Sequence, residues 1–217
     1  MDLSPFASPE RFPEAAAPLE EACAPLPRDM GAALLFALSR RPVEDTRPAL
    51  LALPRVWLGE YGRPHARGLT EPPLVLVPTA TTAEALWAME QALRSGAVSL
   101  VLGAVEGASL TQSRRLDFAA RHGEAIGVVL SRGLDGLSAA RRRWRVSVLA
   151  SRGDADDARA PGPARLQAEL ARGRGERPGT WILEQDDETH RLRLADRLAG
   201  VRPASIAGAG APSGLAA

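Results

Sequence analysis

Apolar positions along the chain fall into two rhythms, and their alternation predicts a layered α/β protein. Short uninterrupted runs at residues 74–77, 98–102 and 126–130, rich in Leu, Val and Ile, read as strands covered on both faces. Between the first two, Ala85, Leu86, Met89, Ala92 and Leu93 gather on one helical arc at about 100° per residue. Glu84, Trp87, Glu90, Gln91 and Arg94 gather on the other. Thr81 and Glu84 make a capping-box pattern ahead of this helix, and Gly96 follows its last turn. Residues 72–105 therefore predict strand, amphipathic helix and strand, sized for a right-handed crossover. Trp87 is the odd member of the polar arc: its ring either packs on a neighbouring helix or waits for a partner.

The same alternation extends in both directions. Asp29 is placed to cap a helix through Ala32, Leu34, Leu35 and Leu38, and residues 49–53 form the first strand candidate. Residues 57–69 hold Gly59, Gly62, Pro64 and Gly68, together with Tyr61 and His65, and read as a surface connection. Ser109 can cap a helix running to Arg121, with Gly123 as its stop. From Arg143 the pattern becomes strict alternation, with Trp144, Val146 and Val148 on one face and Arg143, Arg145 and Ser147 on the other, which predicts a half-exposed strand. Leu166, Ala168 and Leu170 alternate with Arg165, Gln167 and Glu169, a stretch that suits a strand or a short helix, and residues 179–184 supply a matching partner strand across the turn RGRGERPG. A last short helix is expected over residues 189–199. Prolines 5, 9, 13, 18, 25 and 27 predict a flexible arm over residues 1–29, charged and Gly/Pro-rich residues 152–163 a mobile loop, and residues 201–217 a disordered tail. Residues 30–200 are left as one domain.

Composition narrows the chemistry. All 27 basic residues are arginine, so a Walker A loop and a Schiff-base nucleophile, both of which need lysine, are excluded. The formal net charge of +1 argues against general charge-driven binding along nucleic acid, but not against a local basic patch. Cys23 is the single cysteine, which excludes an internal disulfide or a cysteine-based zinc cluster and points to a reducing cytoplasm. No apolar run approaches the roughly 20 residues needed to cross a bilayer, and no basic segment precedes an N-terminal apolar one. A cytoplasmic protein without membrane contact is expected.

Candidate chemistry is sparse. His65, His122 and His190 sit in unrelated contexts without metal-site spacing, and no Gly-x-Ser-x-Gly elbow occurs. Asp154, Asp156 and Asp157, and then Asp186, Asp187 and Glu188, lack the spacing of a calcium loop and read as solvated charge. No metal and no cofactor are expected. The string Arg141, Arg142, Arg143, Trp144, Arg145 has two readings. Its arginines can hold phosphates while the ring stacks on a base, or Trp144 is core and the arginines form a surface face, the reading that the alternation favours. Arg114, Asp117 and Arg121 share one side of their helix at ion-pair spacing, either as solvated charge or as a partner surface that adjoins Trp87 if the two helices share one side of the sheet.

A parallel α/β sheet with flanking helices and a C-terminal antiparallel extension is the general plan of RecA-like domains. Four strings, ALWAMEQALRS at 85–95, LTQSRRLDFAARHG at 110–123, RWRVSVL at 143–149 and LARGRGERPGTWILE at 170–184, resemble in sequence and in order the ImuA family of bacterial damage-induced mutagenesis. The resemblance spans about residues 30–185. Members carry a glycine-rich turn and a Leu-His-Glu string near the N-terminus, where a RecA relative has its phosphate loop. This chain has APLPRDMGAALLFAL at 24–38, with Gly31 alone, no lysine and no following Ser or Thr. Residues 98–102 run into Gly103 where a Walker B strand places an aspartate, and Glu106 comes three positions later. A degenerate nucleotide site without ATP hydrolysis is expected.

The resemblance implies a non-catalytic accessory protein of SOS-induced, error-prone translesion DNA synthesis. It also implies partners: ImuB, an inactive relative of the Y-family polymerases, and an error-prone C-family DNA polymerase. Trp87, Glu90, Arg94, Arg114 and Arg121 are the candidate partner-binding residues. Arg141, Arg142, Arg143 and Arg145 are the candidate contacts to single-stranded DNA, and self-association is a further option. Two other classes suit a RecA-like plan, a SulA-like inhibitor of cell division and a RecA-like DNA-binding protein or ATPase; the missing lysine and near-neutral charge weigh against the latter.

Overall fold

Strands and helices form where the apolar rhythms change. The computed structural model describes residues 12–64, 73–134, 138–151, 153–154, 157, 159–186 and 191–195. Its elements run β1 (Leu19–Cys23), α1 (Met30–Ser39), β2 (Ala49–Pro54), α2 (Arg55–Tyr61), β3 (Leu74–Thr79), α3 (Thr82–Ser95), β4 (Leu100–Ala104), α4 (Leu110–His122), β5 (Ile126–Ser131), β6 (Arg142–Leu149), β7 (Arg165–Gly173), β8 (Gly179–Gln185) and β9 (Leu192–Leu194). Among the described residues the strands make one sheet of order β3-β2-β4-β5-β1-β6-β7-β8-β9. Every pairing from β3 to β6 is parallel, and every pairing from β6 to β9 is antiparallel. The expected fold class, a parallel α/β sheet with flanking helices and an antiparallel C-terminal extension, is the one observed.

Two apolar layers cover the sheet. On one face, Met30, Phe36 and Ala37 of α1 and Trp57 of α2 pack with Leu51, Leu102, Leu130, Trp144 and Leu170. On the other, Leu86, Met89 and Leu93 of α3 and Leu116 and Ala120 of α4 pack on Val101, Val129 and Leu19. The helix caps match the sequence. Thr81 accepts a hydrogen bond from the Glu84 N–H, Ser109 and Gln112 form a complete capping box, and Gly96 ends α3 in the left-handed conformation.

The largest departure is at the N-terminus. Residues 19–23, expected inside a flexible arm, form β1 in the middle of the sheet, paired with β5 and β6 on its two sides. Its sequence LEEAC resembles no buried strand, because two adjacent glutamates point to opposite faces. Each is satisfied by arginines from distant segments. Glu20, 0% exposed, accepts from Arg40, from Arg142 and from the indole N–H of Trp144, while Glu21 accepts from Arg143 and from the Ser131 hydroxyl. Buried carboxylates persist only when paired and hydrogen-bonded in this way.

Smaller corrections follow from the strand order. β3 is an edge strand, so Val75 is 43% exposed and not covered on both faces. The crossover from β3 through α3 to β4 passes over β2, which lies between them. Part of the connection expected over residues 57–69 is helical, as α2, because Trp57 packs into the core. Residues 192–194 form β9 on β8 instead of a helix. Asp29 precedes α1 as expected, but its carboxylate accepts from the N–H groups of Leu26 and Val148 and makes no side-chain cap. Val148 faces solvent, unlike Trp144 and Val146. Residues 1–11 of the expected arm, the tail at 201–217, His65, Gly68, Asp156, Asp187, Glu188 and His190 lie outside the described residues.

Candidate functional site

In an open parallel sheet, ligands are held beyond the carboxyl ends of the strands. Here those ends are Cys23, Pro54, Thr79, Ala104 and Ser131. A cavity of about 320 Å³ opens there, lined by Met30, Gly31 and Leu34 of α1, Leu53, Trp57, Leu58 and Tyr61 around α2, and Leu130, with Arg63 at its charged end. The lining is mainly apolar. Asp29, only 2% exposed, puts a carboxylate at the start of α1, where a phosphate would otherwise meet the positive end of the helix.

The Walker B position is closed by packing. A Cβ on Gly103 would lie 2.1 Å from the Met89 sulfur, so glycine is what lets α3 lie close on β4. Glu106 is engaged 3.0 Å from Arg132, whose guanidinium also lies 3.7 Å from Glu60 and over the ring of Trp57. At the end of β1, burial and then the nearby Glu21 carboxylate raise the pKa of the Cys23 thiol, which favours its protonated form. No group of three or more metal-binding side chains occurs among the described residues.

The predicted partner-binding residues meet on the opposite layer. Helices α3 and α4 pack side by side on one face, and Glu90 bridges them: it lies 3.0 Å from Arg94 on its own helix and 2.6 Å from Arg115 across the interface. Glu90, expected on the exposed arc, is therefore buried under α4. Trp87 is 62% exposed, one turn before Glu90. Phe118 is 67% exposed, one turn after Arg115, and stacks on His122 with ring planes 8° apart. Residues three apart on a helix share a side, so the two aromatic side chains flank the ion-paired seam. Arg121 pairs with Asp117 on the solvent side of α4, and Arg114 is exposed beside them. Arg115 and Phe118 escaped the sequence reading. The available signal was Phe118 lying outside the apolar arc of Leu116, Ala119 and Ala120.

The arginine string is distributed differently from expectation. Trp144 is fully buried and gives its indole N–H to Glu20 at 3.0 Å. Arg143, expected on a surface face, is buried and pairs with Glu21 at 2.7 Å. Arg142 lies 3.1 Å from Glu20 and 2.7 Å from Glu176. Its hydrogen bonds hold the Glu176 carboxyl below the usual carboxylate range, and the same contact raises the pKa of Arg142. Arg145 is exposed and pairs with Glu169 at 2.8 Å. Arg141 joins through its backbone, donating to Leu19 and accepting from Arg174.

A largely parallel sheet with an antiparallel extension and helices on both faces defines a mixed α/β protein. Two curated relatives, each called Protein ImuA, from two strains of Caulobacter vibrioides, are 35% identical to the chain over 140 residues, covering 58% of it and 57% of their own length. This identity supports membership of the ImuA family, and the chain spans a little over half the length of the relatives it matches. No family model matches. SulA from Pseudomonas aeruginosa aligns at a TM-score of 0.41 and 22% identity, over 54% of this chain and all of SulA. A DnaB-like replicative helicase, solved in a study of its interactions with primase, aligns at 0.45 and 14% identity, over 80% of this chain and 57% of the helicase. Among the described residues no helix is long and apolar enough to cross a membrane.

Proposed function

We propose that this chain is a non-catalytic accessory protein of SOS-induced, error-prone translesion DNA synthesis. It acts by assembly with an ImuB-like Y-family polymerase homologue and an error-prone C-family DNA polymerase. The likeness to Protein ImuA supports the setting in damage-induced mutagenesis. Support for a role without nucleotide chemistry comes from Asp29 at the head of α1, Gly103 under Met89, and Glu106 engaged by Arg132.

The observation that carries the assembly role is the outer face of α3 and α4. Two exposed aromatic side chains, Trp87 and Phe118, flank a fixed ion-paired seam with Arg94, Arg114 and Arg121 around it. Large rings within a charged rim are the usual make-up of an energetic hot spot, and this rim is mainly basic, so it fits an acidic segment carrying apolar anchors. Burying each ring is worth about 2 kcal/mol or more at such a site. The test is calorimetric titration of the purified ImuB-like protein into the wild-type chain and the Trp87→Ala, Phe118→Ala double variant. At least about a hundredfold weaker binding by the variant is expected. Equal affinity would remove this face from the account.

A further inference from the structure

The β7–β8 turn gathers positive charge that the fold leaves uncompensated. Arg172, Arg174 and Arg177 are exposed, and none of them forms a salt bridge among the described residues. Arg141 is brought beside them because the Arg174 N–H donates to its carbonyl at 2.9 Å. The acid within the turn, Glu176, is already engaged by two nitrogens of Arg142, at 2.8 and 2.7 Å. The guanidinium groups that the sequence pattern offered as DNA contacts, those of Arg142, Arg143 and Arg145, are bound to carboxylates, whereas those of the turn are not.

We infer that this turn binds the phosphate backbone of nucleic acid, with Arg172, Arg174 and Arg177 as the contacts and Arg141 beside them. Guanidinium forks match phosphate oxygens in charge and geometry. Gly175, at φ +80°, has nothing within 4 Å of where a Cβ would stand, so the chain itself offers close approach. A protein partner is disfavoured by the lack of an anchor. The large exposed apolar side chains, Trp87 and Phe118 foremost, lie elsewhere. Without an aromatic ring for base stacking, the contact is to phosphates and independent of base sequence. The patch lies at the start of β6, the end of the parallel sheet away from the apolar cavity, and it does not depend on the assembly role proposed above.

The probe is a fluorescein-labelled oligo(dT), followed by anisotropy from about 30 to 200 mM salt. The Arg172→Ala, Arg174→Ala, Arg177→Ala triple variant is expected to bind at least about tenfold more weakly at low salt, with the slope of log K against log salt reduced by about 2. The corresponding triple lysine variant is expected to keep the slope, and Arg28→Ala, Arg55→Ala, which removes exposed charge at the opposite end of the sheet, to leave binding unchanged. Matching urea midpoints verify folding. The inference is overturned if the wild-type chain does not bind at low salt, if the alanine triple variant keeps affinity and slope, if the Arg28→Ala, Arg55→Ala variant loses as much, or if polyglutamate at equal charge competes as well as unlabelled oligonucleotide. Because the assay uses purified chain and DNA alone, its failure leaves the polymerase-assembly reading standing.

Discussion

Replacing Glu20 by alanine removes the acceptor of hydrogen bonds from the Ala17 N–H (2.8 Å), from two Arg40 nitrogens (3.0 and 3.2 Å), from Arg142 (3.1 Å) and from the Trp144 indole (3.0 Å). Arg40, 3% exposed, would keep only the carbonyls of Pro13 and Ala15 and the surrounding rings of Phe12, Phe36 and Trp144. Breaking a buried pair from one side leaves the other charge desolvated and costs about 3–5 kcal/mol. At roughly 2–4 °C per kcal/mol for a domain of this size, the midpoint of thermal unfolding should fall by about 6–20 °C. Urea unfolding followed by circular dichroism at pH 7 measures the loss directly. Glu20→Gln, which keeps the shape but not the charge, should fall between wild type and alanine. The pair Glu20→Leu, Arg40→Met, which removes both charges, should recover much of the stability. If Glu20→Ala stayed within about 1 kcal/mol of wild type, the buried network would not be what secures β1.

Three further outcomes follow. Gly103→Asp should cost about 1–3 kcal/mol from collision with Met89, and more from a buried carboxylate, and calorimetry should find no magnesium–ATP binding; a stable variant that binds the nucleotide would contradict the packing argument. Arg47 donates to the carbonyls of Gly96 and Glu124 and so ties down the ends of α3 and α4. Arg47→Ala should cost about 1–2 kcal/mol and speed amide exchange in the last turns of both helices, and unchanged exchange there would refute the tie. Glu176 and Asp45 are both held below their ordinary values, 4.5 and 3.8, chiefly by hydrogen bonds from Arg142 and Arg47. Their contribution is fully present above those values and is lost as pH falls through the lower folded-state ones, so Glu176→Gln should flatten the acid limb of urea midpoints taken from pH 7 to pH 3.

The parts of the fold set by local chemistry were legible in the sequence. The caps at Thr81 and Ser109, the apolar arc of α3 and the alternation of β7 are each written within a dozen residues, and the structure follows them. β1 was not legible, because what makes LEEAC a buried strand is an arginine 20 positions away and others more than 120 away. The same fact misdirects the reading of residues 141–145. Charge that looks solvated in one dimension is, for Arg142 and Arg143, the counterpart of Glu20 and Glu21. The proposed partner face was half legible. Trp87 stood out on its own helix, but Phe118 became its companion only once α3 and α4 shared a layer, joined by Glu90 and Arg115.

The most direct test of the proposed role is the frequency of ultraviolet-induced mutation in cells lacking this chain, compared with cells complemented by the wild-type chain or by the Trp87→Ala, Phe118→Ala variant. A sharp fall in induced mutation, restored by the wild-type chain and not by the folded variant, with spontaneous mutation unchanged, is the predicted result. Induced mutation at the normal frequency without the chain would contradict the account.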